Sequence, residues 1–421
     1  MRVAARQSAS SHTLRGRDAE LTLLGQQLDK LLSGVGTVVL VEGGAGMGKS
    51  RLLEETAGMA GRLSIEVGTG AADPNDSMVQ LSVLMQALFE GHSPILERAA
   101  LGDAHASPEQ RYWLLQDLEA MLERAALREP VLICLDDVQW ADNGTAAALR
   151  ALPPRLATVP IGWIIALRPG QGSPHLRSAL EFLESEGAAK VELGPLDPSG
   201  VALMAADILG AQPDSELLKM AERSAGSPFL LVELLSGLCE EKLVRIDSGE
   251  AQLVEWRLPQ RVSQSMRLRL ERMSDSARQV ATVGGALGRR ISLDDVAAML
   301  NVAPSELLAP VDELIGADVL AECDGRLMFG HDLTFEAVRG SIPASVRRSL
   351  DRQAASVLLA GGALPVEVAT QLADSAEPGD EVAITTLLTA AEALGATDPG
   401  AAADLGQRAL ELAPRRHPSR G

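Results

Sequence analysis

The residues Gly43, Gly44, Ala45, Gly46, Met47, Gly48, Lys49 and Ser50 spell GGAGMGKS, with the spacing G-x-x-x-x-G-K-[ST]. That spacing suits one kind of chemistry, the gripping of a polyphosphate. Glycines let the backbone wrap close to phosphate oxygens that a side chain would push away. Backbone N–H groups and the N-terminus of a following helix supply positive potential. Lys49 is expected to reach the β- and γ-phosphates, and the Ser50 hydroxyl to ligate Mg²⁺. Arg51 completes the expected nucleotide-binding stretch, whose ligand would be ATP or ADP with Mg²⁺.

A second constellation is the run VLICLDD, which ends in Asp136 and Asp137. An apolar run closed by two carboxylates reads as a buried parallel strand that delivers charge to its carboxyl end. One carboxylate can hold Mg²⁺ through water, and the next can orient or deprotonate an attacking water. Asp136 is assigned to the metal and Asp137 to the water, and the two could exchange roles. Capping the next helix is the competing use of an aspartate here, and Asp142 or Asn143 could serve that instead. Arg168 follows a further apolar run, IGWIIAL. At the end of a strand beside the phosphate loop, its cation would report a γ-phosphate; an ordinary surface arginine is the alternative.

These groups need a scaffold that brings them to one edge. A helix is expected from Asp18 to Ser33, with Leu21, Leu24, Leu28, Leu31 and Leu32 on one face. A strand over 37–42, the glycine loop and a helix from Lys49 to Met59 follow. Further strands are expected over 64–70, 131–137, 161–167 and 190–193, with helical stretches between them, notably 71–128. This alternation predicts an α/β P-loop NTPase domain with a parallel five-stranded sheet over 14–195, behind a leader, 1–13, expected to be disordered.

Beyond residue 194 the strand signal fades. Three short helices over 198–245, the third opened by Gly226, Ser227 and Pro228, predict a small helical lid domain over 196–258. Helices near 275–286, 292–300 and 304–316 precede a two-stranded wing, 318–323 and 326–330, about the turn Asp324–Gly325. That arrangement predicts a winged-helix domain over 259–345. Residues 346–421 are expected to be helical, with breaks at Pro365, Pro378 and Pro399. The last pair, near 381–394 and 400–413, has the small–large pattern of a tetratricopeptide-like unit. One such unit cannot bury its apolar faces alone, so further repeats or a partner are expected to cover that edge.

Composition narrows the function. The 421 residues include 38 Lys and Arg against 57 Asp and Glu, a net charge of −19. That balance argues against broad binding to a phosphate backbone. From Ser292 to Cys323 there is no Lys or Arg, but there are Asp294, Asp295, Glu306, Asp312, Glu313, Asp318 and Glu322. Phosphates would repel a recognition helix of that charge, so the winged helix reads as an intramolecular lid and no direct DNA binding is expected. The basic tail Arg415, Arg416 and Arg420 is too small to change this. Cys134, Cys239 and Cys323 are far apart and fit neither a disulfide framework nor a zinc pattern. No apolar run approaches the ~18 residues of a membrane span, and the polar start lacks a signal-peptide core, so a cytoplasmic setting is expected.

LRGRDAEL (14–21), GGAGMGKS, LICLDDVQWAD (132–142), ALRPG (166–170), GSPFLLVELL (226–235) and FGHDLTFEAV (329–338) occur in this order. With these motifs, over about residues 14–413, the chain resembles the signal-transduction ATPases with numerous domains, the STAND branch of AAA+-related P-loop proteins. Within it the chain looks most like the large ATP-binding LuxR-type bacterial transcription regulators, without their basic C-terminal helix-turn-helix. The resemblance implies a nucleotide domain, a helical domain, a winged helix and a superhelical repeat sensor. It also implies an ADP-held closed state that ATP and an inducer open for assembly. It would put Arg17 near the nucleotide, Pro228 on the adenine side and His331, whose FGHD only loosely resembles the family motif, toward the β-phosphate. Trp140 is expected to pack under the nucleotide domain. The function expected is a slow ATPase switch in transcriptional control, with self-assembly, a regulatory protein or an inducer engaging the C-terminal helices. A replication-initiator-like DNA-binding ATPase and a non-hydrolysing nucleotide scaffold are the rivals.

Overall fold

The computed structural model describes residues 14–73, 80–90, 94–97, 108–323, 325–395 and 398–413. The expected leader 1–13, the wing-turn residue Asp324 and the tail arginines 415, 416 and 420 lie outside them, as do parts of the expected helical stretch 71–128. The chain divides into two compact units, residues 1–235 with 245–253, and residues 236–244 with 254–421.

The first unit begins with α1 (Asp18–Leu32), β1 (Thr37–Gly43), α2 (Lys49–Arg62), β2 (Glu66–Ala71), α3 (Ser82–Phe89) and α4 (Pro108–Ala126). It continues with β3 (Val131–Asp136), α5 (Asn143–Arg155), β4 (Ile161–Leu167), α6 (Pro174–Ser185) and β5 (Ala189–Leu193). The five strands form one parallel sheet in the order β2-β3-β4-β1-β5. Because successive strand residues point to opposite faces, the apolar runs feed two core layers. Ile133, Leu135, Trp163 and Ile165 pack with Leu84, Leu88, Leu118 and Leu149 from α3, α4 and α5. Leu132, Cys134, Ile164, Val39 and Val41 pack with Leu24, Leu28 and Leu31 of α1 and Leu52 of α2. All seven residues of β4 are buried, as expected of a strand covered on both faces.

The order β3-β4-β1 has a direct consequence for the site. The carboxyl ends of these three neighbouring strands carry, side by side, the turn with Asp136 and Asp137, the residue Arg168, and the glycine loop. Ligands of open α/β sheets bind at that edge.

After β5 come α7 (Pro198–Leu209), β6 (Gln212–Pro213), α8 (Ser215–Glu222), α9 (Pro228–Glu240), β7 (Val244–Asp247) and β8 (Glu250–Leu253). The three helices lie where the sequence places them. The small sheet β6-β8-β7 has no counterpart in the sequence reading. Its hairpin turns on Ser248 and Gly249, both with positive φ.

The second unit holds α10 (Gln260–Glu271), α11 (Asp275–Leu287), β9 (Arg290–Ile291), α12 (Leu293–Leu300), α13 (Leu308–Gly316), β10 (Leu320–Cys323) and β11 (Arg326–Phe329). Strands β10 and β11 pair antiparallel, and β11 also pairs with β9. Next come α14 (Asp332–Ser341), α15 (Ala344–Ala360), α16 (Pro365–Ser375), α17 (Glu381–Leu394) and α18 (Pro399–Leu412). Pro365 and Pro399 open helices, where a missing N–H costs nothing. Ala383, Ala390 and Ala409 are buried among Leu372, Leu387 and Leu412; the small side chains let these helices approach closely. Arg339 on α14 grips the buried Asp351 of α15 with two hydrogen bonds of 3.0 and 3.1 Å.

Candidate functional site

The glycine loop leaves β1 and enters α2, as its spacing requires. Gly46 and Gly48 have φ of 79° and 93°, a region L-residues rarely adopt. At Gly46 a Cβ would also lie 2.9 Å from the Cβ of Phe229, so the first turn of α9 closes on the loop. Gly48 is the left-handed residue immediately before α2, which leaves the first N–H groups of that helix without helical partners. Lys49 is only 6% exposed. Its Nζ donates to the carbonyls of Gly43 and Gly44 at 2.7 and 2.9 Å. Met47 turns inward to the core layer beneath, so it offers the site only its backbone. Arg51 pairs with Glu54 and Glu55 on its own helix.

Across the loop stands the end of β3. The Ser50 side chain is close enough to the Asp136 carboxylate to favour its charged form. Burial holds the Asp136 carboxyl above the ordinary carboxylate range. The Ser50 side chain, the Asp137 amide and the Lys49 ammonium oppose that shift, while the Asp137 charge adds to it. The Asp137 amide donates to Asp136 Oδ1 at 2.8 Å. Asp137 has a φ of 50°, which swings it out of the strand into a short 3₁₀ turn, Val138–Trp140.

The remaining residues of the DDVQWAD run divide the work of holding this turn. Gln139 is 5% exposed; its Nε2 donates to Asp137 Oδ1 at 2.9 Å, and its Oε1 accepts the Arg168 backbone N–H at 3.1 Å. Asp142 caps α5 by accepting from the amides of Gly144 and Thr145, and also accepts from the Thr145 hydroxyl and the Leu81 amide. Trp140 does not pack under the domain as expected. It is 40% exposed, because the capped turn directs its side chain outward.

Arg17 is 6% exposed. Its guanidinium donates to the carbonyls of Met47, at 3.4 Å, and Gly194, and to Glu20 at 3.1 Å. It therefore braces the loop's backbone from the side of β5. Neighbouring Arg15 donates to Asp207 of α7 at 2.6 Å. Pro228 sits at the first turn of α9, next to Phe229, whose amide donates to the Gly46 carbonyl at 3.2 Å. The first unit thus brings together Arg17, residues 43–51, Asp136, Asp137, Arg168 and Pro228. His331 belongs to the second unit, 9% exposed at the start of α14, with Nε2 3.5 Å from Asp318 Oδ2.

The residue types present fit a magnesium nucleotide. Ser50 and Asp136 offer two hard oxygen donors, the small protein share Mg²⁺ takes when phosphates and waters complete its shell. No cluster of three or more His, Cys, Asp or Glu able to cage a metal occurs among the described residues. Cys134 offers no nucleophile, since burial pushes its thiol up to about 12. Sequence reading passed over two contributors. Gln139 lies within LICLDDVQWAD and Phe229 within GSPFLLVELL, but neither run by itself says what these two side chains hold.

A strand, glycine loop and helix bearing Lys49 and Ser50, faced by a strand-end carboxylate, define a P-loop NTPase fold. Residues 13–164 match the family described as AAA ATPase domain. An uncharacterized protein of Rhizobium meliloti (strain 1021) is 25% identical over 393 residues, 81% of this chain and 36% of its own length. The chain thus spans little more than a third of that relative. Among solved structures, the Aeropyrum pernix ORC2 protein in its ADPNP–ADP complexes is similar with a TM-score of 0.51 at 16% identity, covering 83% of this chain and 95% of that one. A STAND protein with a tetratricopeptide repeat sensor from Pyrococcus horikoshii overlaps 92% of this chain and 53% of its own at 14% identity and a TM-score of 0.31. The ORC2 likeness is one of fold. No helix among the described residues is long and apolar enough to cross a membrane.

Proposed function

We propose that this chain is a slowly hydrolysing ATP switch of the STAND kind, part of a bacterial transcriptional regulator that cycles between ADP-closed and ATP-open states. The observation that carries the reading is the strand order β3-β4-β1, which sets the buried Lys49 and its glycine loop at the same sheet edge as Asp136, because a phosphoryl site needs both a phosphate loop and a strand-end carboxylate. Ser50 and Asp136 would hold Mg²⁺, which when bound neutralises charge on the phosphate oxygens. Lys49 exchanges its loop carbonyls for β- and γ-phosphate oxygens. Asp137 orients the attacking water and takes its proton as the bond from the γ-phosphorus to the β–γ bridging oxygen breaks. Arg168, at the end of the intervening strand, is placed to sense the γ-phosphate. Arg17 and Pro228 flank the loop, and α11 to β11 form a winged helix ahead of a tetratricopeptide-like segment. Slow turnover suits a timer that must persist in its ATP state to signal.

The test is ATPase activity together with mass measurement in ADP and in a non-hydrolysable ATP analogue. Turnover that Asp137→Asn removes, with assembly that depends on the nucleotide, is expected. Unchanged assembly would sink the switch, and an inactive wild type would leave a nucleotide-holding scaffold. A replication-initiator-like DNA-binding ATPase is the rival reading, but it requires steeply salt-dependent duplex binding, and the acidic stretch 292–323 opposes that.

A further inference from the structure

Gln139 is buried on a three-residue turn, and its amide faces two groups of opposite kind. The backbone N–H of Arg168 can only donate, so the side facing it, at 3.1 Å, must be Oε1. The other end is then Nε2, whose hydrogens meet Asp137 Oδ1 at 2.9 Å. This settles an orientation that an amide alone leaves open. The main chain of Asp137 is held separately, through its amide, by Asp136 Oδ1. With φ at 50° on a partly exposed turn, its carboxylate has no regular element to fix its rotamer.

We infer that Gln139 is a positioning residue that ties the Asp137 carboxylate to the carboxyl end of β4. The tie gives one carboxylate oxygen to the amide and sets the direction of the other. It also makes the position of the Arg168 backbone part of the geometry of Asp137, since β3 and β4 are paired neighbours in the sheet. A residue that merely filled the space would need the shape of glutamine. A residue that positions Asp137 needs a donor at one end and an acceptor at the other. This inference rests on the reading that Asp137 handles the attacking water.

Two substitutions separate these requirements in the full-length chain. Gln139→Glu keeps the shape and an acceptor for Arg168, but turns an acceptor toward Asp137. Gln139→Met keeps approximate volume and loses both bonds. Both variants are expected to lower kcat by roughly 10- to 100-fold, the scale of a misplaced catalytic group, with the Kd for a non-hydrolysable ATP analogue within about twofold of wild type. The exchanged pair Asp137→Asn with Gln139→Glu restores a donor–acceptor match with its direction reversed. It is expected to recover the melting temperature that Gln139→Glu alone loses, while remaining inactive. Wild-type kcat in Gln139→Glu, analogue binding that weakens in parallel with kcat, or no recovery of melting in the exchanged pair would each overturn the assignment. The melting comparison needs no turnover. It therefore decides the tie even if full activity in Asp137→Asn shows that the base lies elsewhere.

Discussion

The turns after β1 and β3 do neighbouring jobs by opposite means. Gly43 to Ser50 is built from backbone: its shape rests on positive φ at Gly46 and Gly48, and its single inward cation bonds to its own carbonyls. Asp136 to Asp142 is built from side chains: one carboxylate receives the Asp137 backbone amide, the Gln139 amide holds the Asp137 carboxylate, and a further carboxylate caps α5. A backbone device tolerates almost no change of residue type, because glycine is its mechanism. A side-chain device can be taken apart one group at a time, so its parts can be assigned separately.

The largest effect expected is on the second turn. Asp137→Asn should lower kcat by about 10²- to 10⁴-fold, the usual contribution of a positioned base, while ADP titration gives near wild-type affinity. Equal loss of binding would merge the two turns into one binding device. Next, Lys49→Ala should weaken nucleotide binding by roughly 100-fold, as expected for lost charge-assisted bonds to phosphate. Circular dichroism should be unchanged, and retained ATP affinity would contradict the loop assignment. Asp142→Ala strips a buried cap and the tie to Leu81, so a loss of about 2 kcal/mol in denaturant unfolding is expected. A neutral result would mean that the cap does not hold the turn. The smallest effect belongs to Trp140→Ala. With the indole 40% exposed, thermal stability should change by less than about 1 kcal/mol, and a loss of several would show the side chain to be buried in solution.

The same contrast explains what could be read from the sequence. The glycine loop is a local pattern, and local patterns are legible. β4 matched its expected bounds because IGWIIAL is apolar except for Gly162 and is buried on both faces. α9 began where Pro228 allowed a helix to start. Gln139 was not legible, because its value depends on Arg168, 29 residues away. Trp140 misled for the reverse reason: a large apolar ring suggests a core, and the neighbouring cap sends it outward. The sheet β6-β8-β7 escaped because β6 is two residues long and only Ala251 of β8 is buried, too little to give a period. α10 was readable in principle. Val262, Met266 and Leu270 recur every four residues and are buried, but Arg261, Arg267 and Arg269 among them hide the stripe.

Asp142 closes the turn that follows β3 and caps α5. Four donors converge on its carboxylate, while the far end of the turn is anchored in the sheet through Asp136. The chain from 137 to 141 is therefore a short arch fixed at both abutments. The reach of such an arch is decided by how many residues it contains. One residue inserted or removed between Asp137 and Asp142 would misplace both Asp137 and Gln139, so the length of this arch is as constrained as its chemistry.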